Sequence, residues 1–468
     1  MNIIDKSMLI RQGKLESTEL CEDSLGRIAA NDQDGLKLNS VSEINPNWYF
    51  EARVLDENPD KAEVKSPLYG IPVLLKDNID VKGLHTTAGS FALSDLIADK
   101  DSFLAGKLKE AGAVILGKTN LSEFAYWMSE EGMPSGYSSL SGQVVHPYNP
   151  EYDPSGSSSG SAVAVAAGFV DISIGTETDG SLMSPAISNG IVSIKPTVGL
   201  VSRSGILPIS NIQDTAGPMA RNVTDCAALL QVIAGKDPDD PATWNCQTDD
   251  YLSYLKNDLK GKRIGVFTAK ELKCDEEYLR KLKEIIVSAQ GECVDIYYEN
   301  TYFDEMIPLT YEFKNGINSY LAQHNSSCRS LDDIIEFNNR HAERCLKHGQ
   351  SLLIASNNTS GFLKEKEYLE KRAELREQAY THLDKVIDDN HLDCLVTVCG
   401  HAPTNLAAIS GNCSMVIPAR KPDEEKYDPL SFYMLGKAYK EGELLNLAYV
   451  LEQALQVDAR PSWLKQKI

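Results

Sequence analysis

The sequence predicts a single large α/β domain, with a central twisted mixed β-sheet covered by helices on both faces. Three observations carry the prediction. Short apolar runs of strand character recur from one end of the 468-residue chain to the other. Helical patterns stand between them, and no Gly/Pro/Ser-rich linker divides the chain in two. A chain of this length buries a large core, and strands supplied by both ends imply one interwoven sheet.

Residues 1–60 read as helices, with Leu15, Leu20 and Leu25 on one and Phe50, Val54 and Leu55 on the next. They are expected to form an N-terminal helical jacket on a domain of residues 1–468 whose catalytic core is 65–225. The core opens with PLYGIPVLLKDNID, where Lys76 directly follows the apolar run Val73, Leu74, Leu75. Such a run is a candidate buried strand, so Lys76 leaves its end into low dielectric. Moving a lysine pKa from near 10.4 to ~7 corresponds to roughly 4–5 kcal/mol of differential destabilisation, which burial supplies. A neutral lysine is a capable general base. A lysine that snorkels past the strand end, or pairs with Asp77 or Asp80, is the alternative at this point.

Phe103 to Ala125 reads as helix, strand (Val114 to Leu116), turn and helix, and residues 126–153 are irregular and polar. Asp153 to Pro196 is the stretch around which the rest is organised. Eight serines and five glycines fall between Ser155 and Ser184. Loops this rich in small hydroxyls and permissive backbone suit a site where amide N–H groups face a ligand. A helix from Ala162 to Ala167, ended by Gly168, and a strand through Val170, Ile172 and Ile174 interrupt the polar loops, so a simple linker does not account for them. Ser184 and Pro185 read as N-cap and first helical residue, which sets Ser181 just before a helix N-terminus, where free N–H groups favour developing negative charge.

Beyond Pro196 come short strands and turns, a helix from Thr224 to Ala234 and a strand from Lys262 to Phe267. An amphipathic helix between Cys274 and Gln290 and a strand from Val294 to Tyr298 follow. Residues 301–390 are mostly helical. Leu395 to Val398, Met415 to Ile417 and Leu430 to Leu435 return to strand before a last helix from Gly442 to Leu455.

Composition excludes several classes. The 67 acidic against 46 basic residues give a formal charge of −21, which repels nucleic acid and anionic lipid. No run approaches the ~20 apolar residues of a membrane-spanning helix, and no secretory leader is evident. Ten cysteines without a CxxC pair fit a reduced compartment, so a cytoplasmic protein is expected.

Competing motifs are weak. Gly156 to Gly160 matches G-x-S-x-G with Ser158 central, but the preceding YNPEYDP is no strand, as a nucleophile elbow requires; the histidine would be His401. His341, Cys345 and His348 could share one helix face as metal ligands, yet HAERCLKH is otherwise a charged helix surface with no fourth ligand. Ser253-x-x-Lys256 and Ser462-x-x-Lys465 lie in polar or terminal segments and carry no chemistry. No Walker or Rossmann loop is present.

The surviving constellation is Lys76, the hydroxyls of Ser155 to Ser159, and Ser181. It closely resembles the amidase signature family. The carriers are GSSSGSA and GTETDGS, with Ser157 and Ser181 separated by 24 residues, GIPVLLKDN around Lys76, AVILGKTNLSE (Ala113 to Glu123), QDTAGPMAR (Gln213 to Arg221) and YEFKNGINSYL (Tyr311 to Leu321). The resemblance covers nearly the whole chain and implies that family's fold and an amidohydrolase acting on linear amide C–N bonds. It makes Ser181 the nucleophile, Ser157 a relay after a cis bond from Gly156, and Lys76 the base. The amides of Thr178, Asp179, Gly180 and Ser181 would form the oxyanion hole and Ser158 would support Lys76, with no metal or cofactor. TETDGS, GSSSGSAVAVA and VGLVSRSGILPIS look most like the bacterial peptide amidase branch, which implies a peptide amide or related small amide as substrate. Leu182-Met183 replaces the frequent Ile-Arg, removing a cation near the nucleophile. The alternatives are an amidotransferase A-type subunit, which releases ammonia from glutamine for a partner, and a non-catalytic binding scaffold. A monomer or homodimer is expected.

Overall fold

The computed structural model describes residues 1–465. Thirteen strands are found among them: β1 (Val41–Ile44), β2 (Pro72–Lys76), β3 (Val114–Thr119), β4 (Tyr137–Ser138), β5 (Gly142–Gln143), β6 (Ile172–Glu177), β7 (Val192–Lys195), β8 (Thr215–Ala220), β9 (Arg263–Ala269), β10 (Glu292–Tyr298), β11 (Cys394–Cys399), β12 (Ser414–Pro418) and β13 (Ser431–Leu435). Eleven make one mixed sheet in the order β1-β3-β2-β6-β8-β7-β12-β13-β11-β9-β10, and β4 and β5 form a separate hairpin.

Side-chain alternation explains how one sheet supports helices on both sides. Val73 and Leu75 of β2 enter one apolar cluster, which holds Leu104 and Leu108 of helix Phe103–Glu110, Leu229 of helix Val223–Ile233 and Leu447 of helix Glu441–Leu455. Leu74 points the other way, toward Ala162 to Ala166 of helix Ser159–Ala166 and Ile28 of helix Ser17–Ile28. A third cluster lies apart from these two. In it Phe313 and Ile317 of helix Met306–Gln323 and Leu353 of helix Ser351–Asn357 pack with Phe124 and Trp127. No helix among the described residues is long and apolar enough to cross a membrane.

The core strands β3, β2 and β6 run parallel. From β2 the chain crosses to β3 on one side, and later returns to place β6 on the other. The carboxyl ends of β2 and β6 therefore form a switch point, where a crevice opens between loops that diverge.

Several expected elements differ. Residues 1–60 are not helical throughout, because β1 pairs antiparallel with β3 and forms an edge of the sheet. Leu15, Leu20 and Leu25 are only partly buried, and Ser17, Cys21, Ser24 and Ile28 form the buried face of their helix. Phe50 and Val54 are exposed, and Ala52 is the residue of that helix that packs inward. The helix expected to end at Ala125 is a tight turn in which Phe124, Ala125 and Tyr126 all take positive φ. That turn swings the Phe124 ring into the third cluster. All ten cysteines are free thiols.

Gly160, in the first turn of helix Ser159–Ala166, shows how tightly the core segments approach one another. A Cβ there would stand 2.3 Å from the Ser40 carbonyl oxygen and 2.4 Å from that of Asn120, whose oxygen accepts from Gly160 N at 3.0 Å. Both neighbours are backbone and cannot swing aside. Gly160→Ala is expected to destabilise the protein by about 3 kcal/mol, read as a lower guanidinium midpoint.

Candidate active site

Three segments meet at the crevice. Lys76 closes β2, Ser157 and Ser158 precede helix Ser159–Ala166, and β6 ends at Glu177 before the loop Thr178 to Ser181. The parallel register aligns Leu75 with Ile174, so Lys76 comes level with Gly175, one residue before Thr176.

Lys76 is fully buried. Its Nζ contacts Ser157 Oγ at 2.8 Å, Thr176 Oγ1 at 2.9 Å and the Thr176 carbonyl at 3.3 Å. Loss of solvation pulls its pKa down to about 7, against the pull of Asp214 and Glu177 in the other direction. It pairs with neither Asp77 nor Asp80: Asp77 takes Lys118, and Asp80 takes His324 and the Tyr320 hydroxyl. The snorkelling and ion-pair alternatives are thereby set aside.

The peptide bond between Gly156 and Ser157 is cis. Ser158 occupies the N-cap position without capping its helix. Its hydroxyl instead donates to the Thr176 carbonyl at 3.0 Å and accepts from Thr176 N at 3.2 Å. Ser158 thus reaches Lys76 at one remove, by fixing Thr176, and does not itself touch the amine. Because that hydroxyl is spent on Thr176 and His401 lies exposed with no bond to it, the elbow arrangement is not formed.

Ser181 is buried to within 8%. Among the described residues its Oγ has no hydrogen-bond partner, and none links it to Ser157 Oγ. The amides of Thr178, Asp179, Gly180 and Ser181 likewise donate to no protein group among the described residues. Gly180 takes φ +77°, and a Cβ there would come 3.0 Å from both Ser184 Oγ and Thr404 Oγ1.

Glu177 holds this loop in shape. Its Oε2 accepts from the amides of Leu182 and Met183 at 2.7 and 3.0 Å, so one carboxylate ties the end of the loop to its start. Burial pushes the Glu177 carboxyl up, against the pull of Lys195 and the two amides. The following helix is Met183–Asn189 with Leu182 as its cap, two residues earlier than Ser184 and Pro185 suggest. Leu182 and Met183 are buried in the core beneath helix Ser159–Ala166.

Asp214 backs the loop from the other side. It accepts from Thr178 Oγ1 at 2.5 Å and from the amides of Ile209 and Ser210 at 2.7 and 2.8 Å. Burial lifts it to about 6 despite these bonds. Sequence reasoning misses Thr176, Glu177 and Asp214 as site residues, although TETDGS and QDTAGPMAR contain them. Thr404, Asn405 and Glu305 also reach the loop, and no sequence signal marks them.

The histidine-cysteine trio does not share a helix. The chain breaks between helices Leu331–Arg340 and Ala342–Cys345, Cys345 is buried, and the His348 ring stacks edge-on to Tyr137. Among the described residues no cluster of three or more His, Cys, Asp or Glu could hold a metal. Ser253 lies in a short 3-10 turn and Ser462 begins the last described helix, Ser462–Lys465; the side chain of Lys465 lies outside the description.

Two clefts flank the loop. One, of about 810 Å³, is lined from this site by Asn78, Thr176, Thr178 and Asp214. The other, of about 730 Å³, is lined by Asp179, Thr404 and Asn405 together with Tyr302, Leu272 and Leu430.

The protein-family model described as Amidase matches residues 19–445. A native peptide amidase from Stenotrophomonas maltophilia superposes with a TM-score of 0.91 at 38% identity, over 98% of this chain and 97% of that one. An amidase family protein from Bacillus anthracis gives 0.91 at 38%, over 99% and 92%. The A subunit of a glutamyl-tRNA(Gln) amidotransferase from Caldanaerobacter subterraneus is 30% identical over 97% of this chain and 96% of its own. With a family model covering most of the chain and superpositions that extend over nearly all of it, the chain belongs to the amidase family and is a hydrolase of amide C–N bonds.

Proposed function

We propose that this amidase cleaves carboxamides through an acyl-enzyme on Ser181, with Ser157 as proton relay and Lys76 as base, and that peptide C-terminal amides are its substrates. The observation that carries the reading is the 2.8 Å contact between Ser157 Oγ and a fully buried lysine whose pKa stands at about 7. An amine that is half neutral at that pH accepts a proton without needing a histidine.

In the acylation step Ser181 Oγ bonds to the amide carbon while its proton passes to Ser157, whose own proton moves to Lys76. The negative charge on the carbonyl oxygen is met by the free amides of Thr178 to Ser181. The same path returns a proton to the nitrogen as the C–N bond breaks, and ammonia leaves. Water then attacks the ester, giving up a proton along the relay, and the acid is released from Ser181. Ser158 acts here as a positioning residue through Thr176. The open gap between the Ser181 and Ser157 hydroxyls fits a relay that closes on substrate.

The substrate class draws support from the superposition on the Stenotrophomonas peptide amidase. The likeness to an amidotransferase chain supports glutamine as the rival. Ammonia release from peptide C-terminal amides, simple aliphatic and aryl amides, and glutamine separates the two. Peptide amides are expected to lead by at least about tenfold in kcat/KM. Glutamine alone reacting would reassign the substrate, and silence across the panel would reject hydrolysis by this chain on its own.

A further inference from the structure

Asp179 stands two residues before Ser181, and its partly exposed side chain lines the cleft of about 730 Å³. Thr404 Oγ1 donates to its Oδ1 at 2.5 Å, and Asn405 Nδ2 approaches Oδ2 at 3.3 Å. The buried Glu305 lies against the same carboxylate. Its Oε2 accepts from Gln213 Nε2 at 2.9 Å and Asn405 Nδ2 at 3.1 Å.

Two carboxyl groups in contact at low dielectric cannot both ionise. Burial and the Asp179 charge push Glu305 well above the usual carboxylate range. Glu305 therefore retains its proton beside the Asp179 side chain. A carboxylate offers about four acceptor positions, and Thr404 and Asn405 occupy two of those on Asp179. The same side chain lines the cleft.

This cleft also abuts the nucleophile loop, since Thr404 Oγ1 packs directly on Gly180. Leu272, Tyr302 and Leu430 give it apolar surface. An acyl group held here meets both Asp179 and the apolar walls. In an amino-acid or peptidyl carboxamide the α-nitrogen lies two bonds from the attacked carbon and carries a hydrogen, which places a donor beside the side chain of a residue that adjoins the nucleophile turn.

We propose that Asp179, fixed by Thr404, Asn405 and Glu305, is a specificity-determining residue that accepts a hydrogen bond from the nitrogen α to the scissile carboxamide. The site then selects amino-acid and peptidyl carboxamides over amides that lack this N–H. The assignment rests on Ser181 being the residue at which the carboxamide is held.

The test compares N-acetyl-leucinamide with its isostere in which an ester oxygen replaces the α-nitrogen. Binding is measured calorimetrically to the Ser181→Ala protein, so that it does not depend on turnover. A preference of roughly 10- to 100-fold for the N–H ligand is expected, the range for a hydrogen bond to a charged acceptor. In the wild type the same preference should appear in KM with kcat within about threefold. Adding Asp179→Asn is expected to cut the preference below about threefold, whereas Glu305→Gln, which keeps the Asp179 carboxyl group and still offers it a donor, keeps it. Equal binding of the two isosteres overturns the assignment without any variant at Asp179. A preference that survives Asp179→Asn, or equal loss of affinity for both ligands, overturns it as well. A preference that holds while the wild type hydrolyses no amide would instead reject the hydrolytic reading and leave the role of Asp179 standing.

Discussion

Ser181→Ala is expected to lower kcat on any amide by roughly 10⁶-fold, the scale seen when the nucleophile of a relay that acts as a unit is removed. Stability should stay within about 0.5 kcal/mol of wild type, because the hydroxyl has no partner among the described residues and its loss strands no other group. The pairing of these outcomes is what makes the experiment decisive. A variant that loses activity and also melts early would point to a structural serine. Turnover that persists in a well-folded variant would reject Ser181 as nucleophile, and Ser157 would be tested next. Single-turnover measurement of acyl-enzyme formation, with an activated ester, checks the same point without relying on the amide step.

Lys76→Met is expected to cost about four orders of magnitude in kcat/KM, since it removes the amine in contact with Ser157. Methionine fills most of the buried volume but leaves Ser157 Oγ and Thr176 Oγ1 each short of a partner, so a loss of about 2 kcal/mol in stability should accompany it. The pH profile supplies the sign. The base must be neutral to work, and burial has brought Lys76 down to about 7. The kcat/KM of the wild type should therefore fall about tenfold per pH unit well below 7 and level off above it. In Lys76→Met the residual rate should lose that inflection. A wild-type profile flat from about pH 5 to about pH 9 would reject the lysine as base.

Much of this site is legible in the sequence because its parts are local. Three apolar residues before Lys76 are enough to predict a buried strand end, and the Ser/Gly loops broken by regular elements mark where backbone faces a ligand. The long-range partners are not legible. Nothing in a window around Thr176 says that its hydroxyl will meet Lys76, a hundred residues earlier, or that Thr404 will close on Asp179. The failures in the fold have physical reasons too. β1 is four residues long, with Ser42 and Glu43 in it, and becomes a strand only because β3 offers it an edge. Phe50 and Val54 look like core residues by composition, yet the helix turns Ala52 inward instead. Ser184 and Pro185 carry good capping chemistry, but Glu177 captures the two amides before them and starts the helix early.

The position of β12 in the sheet has a consequence for how the protein is made. β7, built from residues 192–195, is hydrogen-bonded on one side to β12, which arrives more than two hundred residues later. On the ribosome, a nascent chain that has emerged only through residue 400 carries β7 with one edge unpaired, and such an edge is a template for pairing with other chains. Until the C-terminal strands emerge, that edge needs a chaperone or a transient cover, and a prematurely terminated product would be marked for aggregation or proteolysis. The C-terminal strands therefore complete the folding of the N-terminal half.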